Sequence, residues 1–185
     1  MCGPVVAGAV FWDPEVEPHP LLNDSKKMTR KNRAIVRDWI HDTHLCGVGV
    51  ASEKEIDEKN ILRATHMAMH RAIRDTGIEP EHLLIDGSSF TPFYGEAGPV
   101  PHTCVVKGDS KFASIAAASV LAKEFHDDWV KEVCERHPEL HERYGLLDNM
   151  AYGSKVHMDG IRQHGPSEYH RLSFAPVKDW VPGRV

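Results

Sequence analysis

No stretch of this sequence is apolar for long enough to cross a bilayer, which takes about 20 consecutive apolar residues. Its opening, "MCGPVVAGAVFWDP", lacks the basic leader and cleavage pattern of a signal peptide. The expectation is a cytoplasmic protein with no membrane partner. Cysteine is sparse. Cys2, Cys46, Cys104 and Cys134 are widely scattered and none forms a CxxC, which argues against a zinc knuckle or a redox pair and leaves reduced, buried thiols. There is no internal repeat, low-complexity tract or linker in the 185 residues, so one domain spanning residues 1–185 is expected. Nor is there an excess of positive charge. The net charge of −5 excludes a protein that coats nucleic acid through overall charge.

What is present is a globular composition, 41% apolar with mixed charges, and one local exception to its acidity. "SKKMTRKNR", residues 25–33, carries five basic side chains and no acidic one. Such a strip suits a site that grips a polyanion, and equally a solvated helix start. "GPVVAGAVFW" (3–12) reads as a buried strand ended by Asp13-Pro14. Thr29 can cap a helix with Ile35, Val36, Trp39 and Ile40 on its apolar face. "LCGVGVAS" (45–52) is a strand whose glycines suggest close backbone approach. "SEKE" (52–55) has capping-box spacing, and the next helix lines Ile61, Leu62, Thr65, Met69, Ala72 and Ile73 on one side before Gly77 stops it. Strands at 81–87 and 101–109, a long helix from about Lys111 to Arg136 closed by Pro138, a loop at 143–153 and a helix near 154–164 complete the chain. Strands alternating with helices imply an α/β fold with a mixed sheet.

Two of those strands end in acid: "EHLLIDG" in Asp86 and "PHTCVVKGD" in Asp109. If they are neighbours in one sheet, their ends lie about 5 Å apart. Two carboxylates there would repel unless a hard divalent cation sat between them. Taken singly, each also fits a turn or helix cap. His66 and His70 have i, i+4 spacing, but no HExxH glutamate or third ligand accompanies them. Asp127 and Asp128 read as structural.

Several segments together resemble the ribonuclease HII family. They are "CGPVVAGAV" (2–10), "LNDSKKMTRKNR" (22–33), "EIDEKNILRATHMAMHRAI" (55–73), "LLIDG" (83–87), "VVKGDSKFASIAAASVLAK" (105–123), "AYGSKVHMDGI" (151–161) and "GPSEYHRLSF" (165–174), in the family's order. The resemblance implies a ribonuclease H-like α/β fold with a mixed five-stranded sheet flanked by helices. Residues 1–137 would form its core and 138–185 a C-terminal helical extension that binds substrate. It implies a monomeric, metal-dependent endonuclease that cleaves the RNA strand of RNA/DNA hybrids, or beside a ribonucleotide in duplex DNA, leaving 5′-phosphomonoesters. Four carboxylates in the family hold two Mn²⁺ or Mg²⁺ ions, and Asp86 and Asp109 match two of them. Ser25, Lys26 and Lys27 would contact phosphates, Tyr152 the sugar beside the cleavage site, and Lys155 and Arg171 further phosphates.

The family's adjacent Asp-Glu and its Gly-Arg-Gly turn, expected just ahead of "GPVV", are absent from this sequence. In the family that strand lies between the strands corresponding to residues 3–12 and 83–87 and supplies two metal ligands. The expectation is therefore an incomplete form with a truncated first strand and no cleavage of hybrids. The alternative is a non-catalytic hybrid-binding remnant or an inactive gene fragment.

Overall fold

The hydroxyls expected to cap helices do so in the computed structural model, which describes residues 1–180. Thr29 Oγ1 accepts from the Asn32 amide at 3.2 Å and opens α1 (Arg30–Thr43) after β1 (Val5–Phe11). β2 (Leu45–Ala51) follows, and then Ser52 and Glu55 form a reciprocal capping box at the start of α2 (Glu53–Lys59). α3 (Ile61–Asp75) runs to a turn at Gly77, whose φ is +70°. β3 (Leu83–Asp86), a short hairpin of β4 (Tyr94–Gly95) and β5 (Gly98–Pro99), and β6 (His102–Val105) come next. A 3-10 turn, Gly108–Ser110, leads into α4 (Ala113–Arg136). Pro138 does close that helix, but it also occupies the first turn of α5 (Pro138–Tyr144), a helix the sequence reading did not anticipate. α6 (Leu146–Asn149) and α7 (Lys155–His164) end the helical series. Residues 181–185, the tail of the expected C-terminal extension, lie outside the described residues.

Two compact units can be traced. One comprises Val6–Val50 and Thr65–Phe125. Its core sets Val36 and Ile40 of α1 against Ala117, Val120 and Leu121 of α4, with Val10 and Val48 beside them. The glycines of β2 do permit close approach: a methyl group on Gly47 or Gly49 would run into the Ala72 or Ala68 carbonyl of α3. The face of α3 that packs is accordingly its alanine row, with Ala68 and Ala72 fully buried. Of the residues expected on one side of this helix, Ala72 and Ile73 are buried, whereas Ile61 and Leu62 at its start are exposed. Gly8 of β1 meets the Ala118 carbonyl of α4 in the same way.

The other unit comprises Met1–Val5, Ala51–Ala64 and the chain from His126 onward. Its core is built from Val130, Val133, Tyr144, Leu146, Ile161 and Val177 around the buried Cys2.

The strands pair as β1 with β2, β3 with β6, and β4 with β5. β3 and β6 are parallel, with Asp86 opposite Val105. The continuous five-stranded sheet implied by the resemblance is therefore not what the described residues form. β1 and β3 have no strand between them to bridge their hydrogen bonds, and a cavity of about 440 Å³ lies there.

Candidate metal and nucleic-acid site

Asp86 leaves the end of β3 exposed to solvent, and its Oδ1 accepts a hydrogen bond from the Gly108 amide at 2.8 Å. Gly108 directly precedes Asp109 at the start of the 3-10 turn after β6. Two features shape this joint. Lys107 adopts a left-handed conformation, with φ 56°, which turns the chain after the strand. Gly108 is buried, and a Cβ there would lie 2.5 Å from Ile115 Cδ1 and 3.4 Å from Asp86 Oδ1. A side chain at this position would thus press on Ile115 of α4 and come into van der Waals contact with the carboxylate.

Asp109 is half-buried, and its carboxylate makes no hydrogen bond or ion pair among the described residues. Asp86 has no partner there besides Gly108. The two strands are thus neighbours, and the two acidic turns are tied by one hydrogen bond. Two partly exposed carboxylates suit a hydrated hard ion, since Mg²⁺ is commonly held by one or two carboxylates, with water and substrate phosphate completing its shell. A larger protein cage is not present: among the described residues no group of three or more His, Cys, Asp or Glu side chains is placed to hold a metal.

The basic strip lies in the same unit as the two aspartates but divides in two. Lys26 and Lys27 are exposed, and Lys27 Nζ is 3.9 Å from Asp24. Arg33 is buried, its Nε donating to Glu124 Oε1 at 2.7 Å and its Nη1 to the Met28 carbonyl at 3.1 Å. It fastens α1 to α4 and does not belong to a surface strip. Ser25, expected at the nucleic acid, is also turned inward. It is 2% exposed and shares a 2.7 Å hydrogen bond with Ser119 of α4, which anchors the turn that displays the two lysines.

The remaining expected residues lie in the second unit. Tyr152 is exposed at the end of a tight loop in which Met150 and Ala151 have φ 47° and 60°. Left-handed non-glycine residues cost of order 1–3 kcal/mol each and persist only where the surroundings impose them. Here Asn149 Nδ2 donates to the Tyr144 carbonyl and the Tyr152 carbonyl accepts from His157 Nδ1, both at 2.8 Å. Lys155 begins α7 and is exposed. Arg171 differs from expectation. Its Nε donates to Gly3 O at 2.8 Å and its Nη2 to Pro4 O at 3.0 Å, so its guanidinium holds backbone and is not free for a phosphate.

Several structural side chains around these positions escaped the sequence reading. Asp57 accepts from the Leu172 and Ser173 amides at 2.8 Å and clamps that segment to α2. His157 Nε2 and His170 Nε2 lie 3.0 Å apart, fully buried. His157 Nδ1 faces a carbonyl and so carries the proton, while His170 Nδ1 accepts from the Ser167 amide at 2.9 Å. His170 Nε2–H therefore donates to His157, and both rings are satisfied as neutral tautomers. Burial, followed by the charge of His157, pushes the pKa of His170 down to about 3. Burial lowers that of His157 as well. His66 and His70, the i, i+4 pair, both bond to Thr91. Of the four free cysteines, Cys2 and Cys134 are buried and Cys46 and Cys104 half-buried.

Comparison with known proteins gives a consistent result. A sequence model of the ribonuclease HII family matches residues 1–177. The chain is 46% identical over 174 residues to a ribonuclease HII of Parabacteroides distasonis, covering 91% of this chain and 83% of that one. It is 45% identical over 180 residues to the enzyme of that name from Porphyromonas gingivalis, covering 97% and 85%. In fold it is similar to the ribonuclease H2 of Pyrococcus horikoshii, with a TM-score of 0.72 at 20% identity over 96% of this chain and 90% of that one. It is also similar to the Bst-RNase HIII solved with Mn²⁺, with a TM-score of 0.58 at 19% identity over 96% and 64%.

Proposed function

The chain belongs to the ribonuclease HII family, an endoribonuclease family, and from that premise we propose that it acts as a monomer on the RNA strand of RNA/DNA hybrids through Asp86 and Asp109. The observation that carries this reading is the hydrogen bond from the Gly108 amide to Asp86, because it draws the two acidic turns together at one end of the β3–β6 pair. Asp86 Oδ1 accepts that bond, and its Oδ2 has no partner among the described residues. Asp109 brings a carboxylate with no internal partner among the described residues. These two side chains would hold Mg²⁺ or Mn²⁺, which when bound supplies Lewis-acid stabilisation of the charge on the phosphoryl oxygens. Lys26 and Lys27 hold the phosphate backbone, and the turn anchored through Ser25 fixes their placement. Tyr152 offers an exposed ring to a sugar, and Lys155 a further cation to a phosphate. The products would be 5′-phosphomonoesters.

A second reading has its own support. Two carboxylates, with no larger metal-binding group among the described residues, fit a protein that binds hybrids without cutting them. An end-labelled hybrid duplex assayed with Mg²⁺ and with Mn²⁺ separates the two. The first reading expects, contrary to the expectation of no cleavage drawn from the absent segment, cleavage of the RNA strand that falls at least about a hundredfold in Asp86→Asn, the scale of losing a group that stabilises transition-state charge, with hybrid affinity retained. Salt-dependent binding without cleavage at any metal concentration would establish the second.

A further inference from the structure

The chain leaves Asp86 through the loop 87–93, which ends where β4 begins. Both ends of this loop are anchored. The Gly87 amide donates to the Val105 carbonyl at 3.0 Å, and the buried Phe93 packs with Ile73 and Val100. Between the anchors, every polar group of Thr91 is engaged by two histidines one turn apart on α3. The Thr91 amide donates to His66 Nδ1 at 3.2 Å, and the Thr91 hydroxyl lies 2.9 Å from the same nitrogen. The Thr91 carbonyl lies 2.9 Å from His70 Nε2. Phe90 meets both imidazoles edge to face, with ring centroids 5.8 and 5.1 Å away, and His102 of β6 at 5.3 Å. Arg74 of α3 lies over Phe93.

The partners fix the tautomers. His66 Nδ1 receives an amide proton and is therefore bare, which leaves its Nε2–H to bond the backbone of Ser89. His66 thus closes the loop from Ser89 to Thr91, and it does so only while neutral, because a proton on Nδ1 would set donor against donor. His70 meets no such conflict, since its Nε2–H donates to a carbonyl in either charge state. Burial favours the neutral His66 ring and lowers its pKa; the bond to Ser89 opposes this, and the neighbouring His70 adds to it.

We propose that His66 is a positioning residue for Asp86: as a neutral acceptor at the Thr91 amide, with His70 at the Thr91 carbonyl, it sets the path by which the chain leaves the carboxylate, and its protonation loosens that path and the bond of Asp86 to the Gly108 amide. A consequence for cleavage rests on the nuclease reading; the brace itself does not.

Amide exchange followed by NMR on the full chain, corrected for its intrinsic pH dependence and run from about pH 8 to about pH 5, tests this. Two amides report: Thr91, bonded to His66, and Gly108, bonded to Asp86. Protection is expected to fall about tenfold at Thr91 and at least about threefold at Gly108, with a midpoint shared with the His66 ring. His66→Asn puts a side-chain oxygen where Nδ1 stands and does not titrate, so both amides should stay protected throughout. His66→Leu should lose both at every pH. Should the leucine variant fail to fold, His66→Asn and the natural chain decide. Thr91 protection that ignores the His66 titration, a Gly108 amide that holds while Thr91 is released, or loss of either amide's protection in His66→Asn would overturn the proposal. Hybrid cleavage by the natural chain should decline with the same midpoint, and that decline should be absent in His66→Asn. If the natural chain cuts no hybrid while the two amides behave as stated, the nuclease reading fails and the brace stands.

Discussion

At the scale of single residues, the charges that matter divide into those spent inside the protein and those left for a ligand. Arg33 and Glu124 are spent: their side chains are 9% and 6% exposed. Removing one partner leaves the other charged and buried, which costs about 3–5 kcal/mol. Glu124→Ala is therefore expected to lower the unfolding free energy by that amount in urea titrations, far more than removal of the exposed Asp159–Arg162 pair. The buried pair His157 and His170 makes stability depend on pH. Their folded pKa values lie below the ordinary 6.5, so below pH 6.5 the unfolded chain binds protons that the folded chain refuses. The pair's contribution is complete above pH 6.5 and is lost as pH falls toward 3, each ring adding a slope of up to about 1.4 kcal/mol per pH unit. Urea midpoints at pH 7.5, 6.0 and 5.0 should fall in that order, and a His170→Gln variant should show a shallower decline. Asp86 and Asp109 were legible in the sequence because each follows an apolar β-branched run and meets a turn. The roles of Ser25 and Arg171 were not, because their partners, Ser119 and the Gly3 and Pro4 carbonyls, are 94 or more positions away.

At the scale of elements, local chemistry announced most boundaries. The Thr29 cap, the Ser52–Glu55 box and the Gly77 stop are written within four residues of where they act. The buried side of α3 was legible at Ala72 and Ile73 and missed at Ala68. Ala68 packs inward because Gly49 sits across from it, a contact with another element that helical spacing alone does not encode. The separation of β1–β2 from β3–β6 agrees with the gap that the resemblance implied between residues 3–12 and 83–87, which no single strand's own pattern encodes. The joint after β6 carries the element-scale prediction. Gly108→Ala places a Cβ 2.5 Å from Ile115 Cδ1, so either Ile115 or the turn bearing Asp109 must shift. Overpacking of this kind costs about 1–3 kcal/mol, and the melting temperature should drop accordingly. Any hybrid cleavage should fall by more than the fraction unfolded accounts for, whereas hybrid binding by the folded protein should change little.

At the scale of the whole molecule, a protein with a net charge of −5 must bind a polyanion through a few placed cations. Lys26, Lys27 and Lys155 are exposed, so hybrid affinity should weaken steeply with salt. Each true phosphate contact adds close to one unit of slope in a plot of log affinity against log salt. Lys26→Ala should flatten that plot by about one unit. The central claim, that Asp86 and Asp109 act together on a hybrid, is tested most directly by metal-dependent cleavage of an end-labelled RNA/DNA duplex. The comparison is between the natural chain, Asp86→Asn and Asp109→Asn. The account predicts that cleavage of the RNA strand to 5′-phosphate ends falls at least about a hundredfold in each variant, with hybrid affinity preserved. Undiminished turnover in either variant would contradict it.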